Sequence, residues 1–347
     1  MLNRSCYRDS MVQAVTLKDV AAHAGVSRTT ASNVVTRTGR VASETRDRVH
    51  QAMRELGYVY NRGAASLRTH KTTTVGVVVT NIASPFFGEL LVGLESTLAR
   101  AGFRSLVVAT GDDAARQDEL VAELREHQIA GLAIVPAGRT SGSFLEGLTA
   151  SGIPHVLMTR YLDGAPAPYV GPDDRLGGRL AAEHLLDHGS RSLAYVGGRP
   201  AVLSRRDRID GVKDALRAGG VDPATLVDVE SETSGQGGLA AGEQLLARGE
   251  LPEAVICHSD SVAFGLYRAL RIAGRANSVR IIGYDDVNTA ALWEPPLTSV
   301  ATHPERLGHA AAELLLAELD ELDSEPERRL FPPELVVRES CGCQTHA

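Results

Sequence analysis

From residue 72 to about residue 340, short apolar runs alternate with amphipathic stretches, and this alternation leaves the chain few architectures to choose from. VGVVVTN, SLVVAT, GLAIVPA and HVLMT are apolar runs of strand length. Between them lie FFGELLVGLESTLARAG, RQDELVAELREHQ and GSFLEGLTASG, whose apolar residues recur at helical spacing. SLAYVGG, EAVICHSD and VRIIGYD continue the series, separated by helical stretches such as GGRLAAEHLLDHG and SVAFGLYRALRIAG. Strands in such a series pair in parallel through right-handed crossovers and are buried on both faces. The series is long enough for two lobes, with a ligand held between them at the carboxyl ends of the strands. Aromatic residues are only 4% of the chain, so this core is built from Leu, Val, Ile and Ala.

The segment before it has a different character. In VTLKDVAAHAGVSRTTASNVVTRTG, Thr16 can cap a first helix with Asp19 in its opening turn, where the helix dipole favours an acid. Leu17, Val20, Ala21 and Ala24 form an apolar stripe, and Gly25 suits a left-handed C-terminal cap. Val26 can plug the turn, and Ser27 can cap a second helix from Arg28 to about Thr36. Two helices joined by so short a turn make a helix-turn-helix, whose second helix enters the DNA major groove. Ala31, Val34 and Val35 then face inward, and Arg28, Thr29, Ser32, Asn33 and Thr36 face outward. Arg pairs with guanine and Asn with adenine by bidentate geometry, so this face suits base reading, although a polar helix face can also be merely solvated. Residues 11–71 hold ten Lys and Arg against four acids, a net +6 in a chain whose total is −7. A basic segment on an acidic body points to nucleic acid at one end.

A third helix is expected from Ser43, through RDRVHQAMRELGY, with Val49, Met53 and Leu56 on one face and Gly57 at its end. NRGAASLRTHK, residues 61–71, has weak helical propensity and reads as a hinge or linker that folds against DNA or a partner chain.

VTLKDVAAHAGVS, then VASETRDRV, then ELGYVYNRGAASLR together resemble the headpiece of the lactose-repressor (LacI/GalR) family over about sixty residues. Further on, NIASPFFGEL, Arg208-Ile209-Asp210-Gly211, HSDSVAFG, IGYDD, EPPLTSV and LVVRESCG match the family core in order. The resemblance implies an all-α helix-turn-helix headpiece and an α/β core of two lobes with parallel sheets, similar to periplasmic sugar-binding proteins. It makes Arg28, Thr29 and Asn33 the principal base readers. It puts Thr16, Ser27, Ser32, Thr45 and Asn61 on the DNA backbone, with Thr36 and Ala64 among the DNA contacts. Leu67 becomes the hinge wedge in the minor groove. The chain departs from the family pattern at Ala31, Tyr60, Gly63 and Ser66.

In the core, Asn81 and Ser84 follow the first strand, and Phe86 and Phe87 open the next helix, where they can stack on a sugar or base face. Phe87 can equally be core. Arg208, Asp260 and Asp285 can hydrogen-bond hydroxyls, although Asp260 can instead cap its helix. The resemblance places effector contacts at Phe86, Phe87, Arg208, Asp260 and Asp285, with Arg160 as a further candidate, and Trp293 is the remaining aromatic near such a cleft. The lobes are expected to exchange chain near 159–172 and again near 284–302.

His184 and His188 are four apart, and His303 and His309 six apart on another helix. With no Cys or carboxylate at metal-ligand spacing, they read as ordinary surface or core histidines, and no metal or cofactor is expected. Cys6, Cys257, Cys341 and Cys343 lack a zinc pattern and are too few for a disulfide framework, so reduced thiols are expected. There is no G-x-G-x-x-G after a strand, no P-loop and no G-x-S-x-G elbow to suggest an enzyme. Two other readings stay open: an exported sugar-binding protein, which leaves the basic headpiece unexplained, and a regulator that answers to a protein partner.

The expected organisation is therefore a disordered extension (1–13), a DNA-binding domain (14–60), a hinge (61–71), an effector-binding and dimerisation core (72–340) and a tail (341–347). The expected partners are double-stranded DNA with a near-palindromic operator, a sugar-like effector and a second copy of the chain. The expected setting is cytoplasmic, with no membrane span.

Overall fold

The structure is a computed structural model that describes residues 15–36, 38–60, 72–320 and 325–343. The extension 1–13 and the hinge 61–71, with Asn61, Ala64 and Leu67, lie outside the described residues. The chain divides into two compact units, Met1–Lys71 and Thr72–Ala347.

The first unit contains α1 (Leu17–His23), α2 (Arg28–Thr36) and α3 (Ser43–Leu56). Thr16 and Asp19 form a reciprocal capping box at α1, which satisfies two otherwise orphaned donors. Gly25, at φ 64°, makes the turn between α1 and α2 in the left-handed region that a side chain would disfavour. Val20, Ala21, Ala24, Ala31, Val34, Val49 and Ala52 form the small core. Leu17, Val26, Met53 and Leu56 pack on its margin.

The second unit holds two six-stranded sheets. The first lobe has β1 (Thr74–Val79), β2 (Arg104–Ala109), β3 (Gly131–Ile134), β4 (His155–Met158), β5 (Tyr169–Pro172) and β11 (Arg328–Phe331), in the order β11-β5-β4-β3-β1-β2. Its helices are α4 (Pro85–Arg100), α5 (Ala114–Glu126), α6 (Gly142–Ala150) and α11 (Pro304–Asp320). The second lobe has β6 (Leu193–Val196), β7 (Val227–Val229), β8 (Ala254–Cys257), β9 (Arg280–Asp285), β10 (Thr298–Ala301) and β12 (Glu334–Val336), in the order β12-β10-β9-β8-β6-β7. Its helices are α7 (Asp174–Asp187), α8 (Leu203–Ala218), α9 (Gly235–Ala247) and α10 (Asp260–Ile272). Every pairing is parallel except β10 with β12, so the all-parallel expectation holds up to this last short strand.

The chain passes between the lobes at 172–174, at 301–304 and a third time at 331–334. The expectation of two exchanges misses the third, which joins two very short strands through Pro332 and Pro333. The crossings are neighbours. Phe331 pairs with Pro172 on one side, Glu334 pairs with Ala301 on the other, and the Asp173 amide donates to the Phe331 carbonyl at 2.9 Å.

Three helix pairs flank the sheets, and each is closed by reciprocal glycines. A Cβ on Gly93 of α4 would stand 2.0 Å from the Glu305 carbonyl oxygen of α11, and one on Gly308 would stand 2.0 Å from that of Leu90. Gly178 and Gly211 do the same for α7 and α8, and Gly238 and Gly265 for α9 and α10. Backbone therefore meets backbone at each crossing, which no larger residue permits.

Candidate functional site

In the first unit, Ser27 Oγ accepts the Thr30 amide at 3.0 Å and fixes the start of α2. Arg28 and Thr29 project into solvent from its first turn, where a recognition helix presents its base readers. Ser32 and Asn33 are half-buried. The Asn33 carboxamide is steadied by Thr38 Oγ1, which donates to its Oδ1 at 3.5 Å, and by Gly39 beside its Nδ2. The Thr36 hydroxyl turns back on the helix and donates to the Ser32 carbonyl at 2.8 Å. Thr16 is exposed at the N-terminus of α1, and Thr45 is half-buried in the first turn of α3.

The second unit contains a cavity of about 460 Å³ at the carboxyl ends of both sheets. The first lobe contributes Thr80 and Asn81 after β1, Ser84, Phe86 and Phe87 at the start of α4, Thr110 and Asp112 after β2, and Arg160 after β4. The second lobe contributes Arg199, Ser204, Arg208, Glu232, Ser234, His258, Ser259 and Asp285. Asn81, Phe86, Phe87, Arg160, Arg208 and Asp285 are thus brought together as expected. Phe86 and Phe87 meet edge to face with centroids 5.2 Å apart, and both also belong to the first lobe's core.

Arg208 is the best-fixed of these groups. Its Nε donates to Asp174 Oδ1 at 2.7 Å, one amino group donates to the His258 carbonyl at 2.6 Å, and its guanidinium lies 3.6 Å from the centroid of the Tyr284 ring. Burial raises the Asp174 carboxyl above its ordinary range, against the pull of Arg208. Burial also pushes Asp285 well up, with Arg208 opposing, and pushes His258 well down, with Arg208 adding to the effect. His258 is therefore a neutral ring, hydrogen-bonded through Nδ1 to the Tyr195 hydroxyl at 2.8 Å. Asp285 has φ 106°, a strained value for a residue with a Cβ, where β9 ends in the cleft.

Asp260 does not belong to the cavity. It is fully buried, its Oδ2 accepts the Val287 amide at 2.9 Å, and its Oδ1 accepts the Ser299 hydroxyl at 2.6 Å. Ser259, not Asp260, caps α10, accepting the Val262 amide at 3.3 Å. Asp260 ties β10 and the loop after β9 to α10, so the expectation of an effector contact is corrected. Trp293 likewise stacks on Phe264, centroids 4.2 Å apart, away from the cavity.

Sequence reading missed Thr110, Asp112, Arg199, Glu232 and His258. The usable signal was their position just beyond strand ends, the same rule that found Asn81 and Asp285. His184 and His188 also have a neighbour that their spacing does not reveal. Cys343 Sγ lies 3.1 Å from His188 Nε2 and 3.5 Å from His184 Nε2. Sequence spacing hid a neighbour more than 150 positions away.

Comparison with known proteins places both units. Residues 16–61 match the model of bacterial regulatory proteins of the lacI family, and residues 182–341 match a periplasmic binding protein-like domain. The HTH-type transcriptional regulator CelR of Thermobifida fusca is 35% identical over 94% of this chain and 98% of its own. The HTH-type transcriptional repressor PurR of Glaesserella parasuis is 30% identical over the same shares. Among solved structures, the lac repressor dimer bound to operator and the anti-inducer ONPF superposes with a TM-score of 0.82 at 27% identity, over 95% of this chain and 99% of that one. A CelR–cellobiose complex gives 0.71 at 32% identity, over 94% and 99%.

The chain belongs to the lacI family of bacterial regulatory proteins. It is a DNA-binding transcriptional regulator. No helix among the described residues is long and apolar enough to cross a membrane.

Proposed function

We propose that this protein is a cytoplasmic, homodimeric repressor of a near-palindromic operator, controlled by a neutral, hydroxyl-rich effector of the sugar class bound between the lobes. The observation that carries the effector class is the charge pairing of the cleft. Arg160 pairs with Asp112, Arg199 with Glu232 at 3.1 Å, and Arg208 with Asp174 at 2.7 Å. Of the four arginines that line the cleft only Arg116, which donates to the Ala109 carbonyl at 3.2 Å, lacks a carboxylate partner, so the cleft makes little demand for net charge on its ligand. It offers fixed donors and acceptors for hydroxyls, with Phe86 and Phe87 for an apolar sugar face. Cellobiose in the CelR complex, and ribose in the core of a regulator from Enterococcus faecium that is 30% identical over 77% of this chain, support the same class.

Arg28, Thr29 and Asn33 read bases in this proposal, and Thr16, Ser27, Ser32, Thr36 and Thr45 hold the DNA backbone. Two heads address two half-sites, which requires a dimer. Exposed Val92 and Leu106 leave apolar surface on the first lobe, as a dimer interface would. The effector changes the relation of the lobes and through it the operator affinity, a coupling typically worth about 1–3 kcal/mol.

The test is selection of genomic fragments by purified protein at fixed salt, repeated with a panel of sugars and nucleosides. One near-palindromic fragment, released or tightened by one neutral saccharide, is the expected result. Selective retention that only a charged metabolite or a protein alters would overturn the effector class. No selective retention at any salt would overturn the operator reading.

A further inference from the structure

Two histidines and a cysteine converge on the second lobe, away from the cleft. His184 lies in the last turn of α7, His188 caps that helix, and Cys343 lies beyond β12. One ligand atom from each lies within 4.8 Å of the other two. Residues four apart on a helix face the same way, so the two rings lie together, with centroids 4.4 Å apart. Cys343 and Cys341 are both free thiols.

The three donor atoms are close enough together for one cation to bridge them. Tetrahedral zinc holds nitrogen at about 2.0 Å and sulfur at about 2.3 Å, which makes each N···S edge about 3.5 Å. The edges here are 3.5 Å and 3.1 Å. The ring of His188 is already oriented. Its Nδ1 is hydrogen-bonded to the His184 carbonyl at 2.8 Å, which puts the proton on Nδ1 and leaves the Nε2 lone pair facing the sulfur. Ligating histidines are characteristically held in this way through their second nitrogen. Borderline-soft donors of two imidazoles and one thiolate select a zinc-type cation over magnesium or calcium. The Cys341 thiol donates to the Arg338 carbonyl at 3.3 Å and also lies beside His184 and Cys343, so it is a neighbour of the site and not one of the three proposed donors.

We propose that His184, His188 and Cys343 form a binding site for a zinc-type divalent cation, with the fourth position open to solvent at exposed His188. Binding replaces the Cys343 S–H bond with an S–metal bond and releases one proton to solvent. No electron is transferred. The cation fastens the segment after β12 to the C-terminal end of α7, the helix whose other end carries Asp174 beneath Arg208. The proposal does not depend on the identity of the effector.

The experiment uses the full chain, stripped with a chelator, kept reduced with a phosphine and titrated with cobalt(II). One equivalent should give a thiolate-to-cobalt charge-transfer band together with tetrahedral visible bands, and one equivalent of zinc should abolish both. Zinc should raise the melting temperature of the stripped protein. Cys343→Ser should lose the charge-transfer band, and His188→Gln, an exposed change, should weaken cobalt binding by at least about tenfold. Cys257→Ser, a change in the core elsewhere, should keep the band. Absence of the band in the unaltered protein, or its survival in Cys343→Ser, overturns the proposal. So does unchanged affinity in His188→Gln.

Discussion

Arg208 and Asp174 form a buried ion pair, Nε to Oδ1 at 2.7 Å, in which the side chain that faces the cleft is held by a carboxylate at the start of a different helix. Arg208→Ala is expected to abolish the effector response while operator binding persists. It is also expected to cost stability, because it leaves Asp174 buried and unpaired, a change worth about 3–5 kcal/mol. Arg208→Met combined with Asp174→Asn should recover much of that loss without recovering the response. Urea denaturation and operator binding with and without effector separate the two effects. A full response in the double variant would remove Arg208 from the ligand site.

Asn33→Ala should lower operator preference by about 1–3 kcal/mol, the value of a bidentate base contact. Salt-dependent binding to unrelated DNA should hardly change, because phosphate contacts supply that term. Titrations of operator and random duplex at two salt concentrations make the comparison. Equal loss on both duplexes would mean that Asn33 reads no base.

Burial pushes the Asp260 carboxyl from its ordinary 3.8 up to about 7. Between those values the folded chain holds a proton that the unfolded chain releases. This group's contribution is therefore most favourable at the acid end of the window, falls as pH rises through it, and is level above about pH 7. The slope is at most about 1.4 kcal/mol per pH unit for one proton. Asp174 and Asp285 shift in the same direction and add to it. Melting temperatures between pH 5 and 8 should decline with pH more steeply in the unaltered protein than in Asp260→Asn. Parallel profiles would refute the assignment.

Gly308→Ala should destabilise the core by about 1–3 kcal/mol, because the new methyl meets the Leu90 carbonyl and neither helix backbone can yield cheaply. Gly88→Ala, on exposed and open surface of α4, should instead be neutral or stabilising by up to about 1 kcal/mol through helix propensity. The pair of melting curves distinguishes crowding from propensity, and a shift of the same sign in both would contradict the packing account.

Much of this architecture was legible because its signals are local. Thr16, Asp19, Gly25 and Ser27 mark the headpiece helices within a dozen residues, and the structure uses each as its chemistry suggests. Some cleft residues are legible because a strand end coincides with a side chain that stands out, as at Asn81 and Asp285, whereas Asp112, Arg199 and Glu232 lie a few residues further into their loops. Less conspicuous strand ends, such as Thr110 and His258, were passed over. Asp260 was misplaced because the sequence records that a carboxylate follows β8 but not that Ser299 and the Val287 amide consume both of its oxygens. The proximity of Cys343 to His188 depends on β12 returning to the second sheet, a consequence of topology that no spacing rule encodes.

The three chain crossings have a mechanical consequence. Because Phe331 lies beside Pro172 and Glu334 beside Ala301, the three connections form a narrow band rather than scattered tethers. A band of this kind bends easily about its own line and resists torsion, as a door on three hinges swings without twisting. It also makes the core tolerant of a single break. A protease that severs one connection leaves two intact, so a nicked core stays one body, and neither lobe can be obtained alone by cutting the chain once.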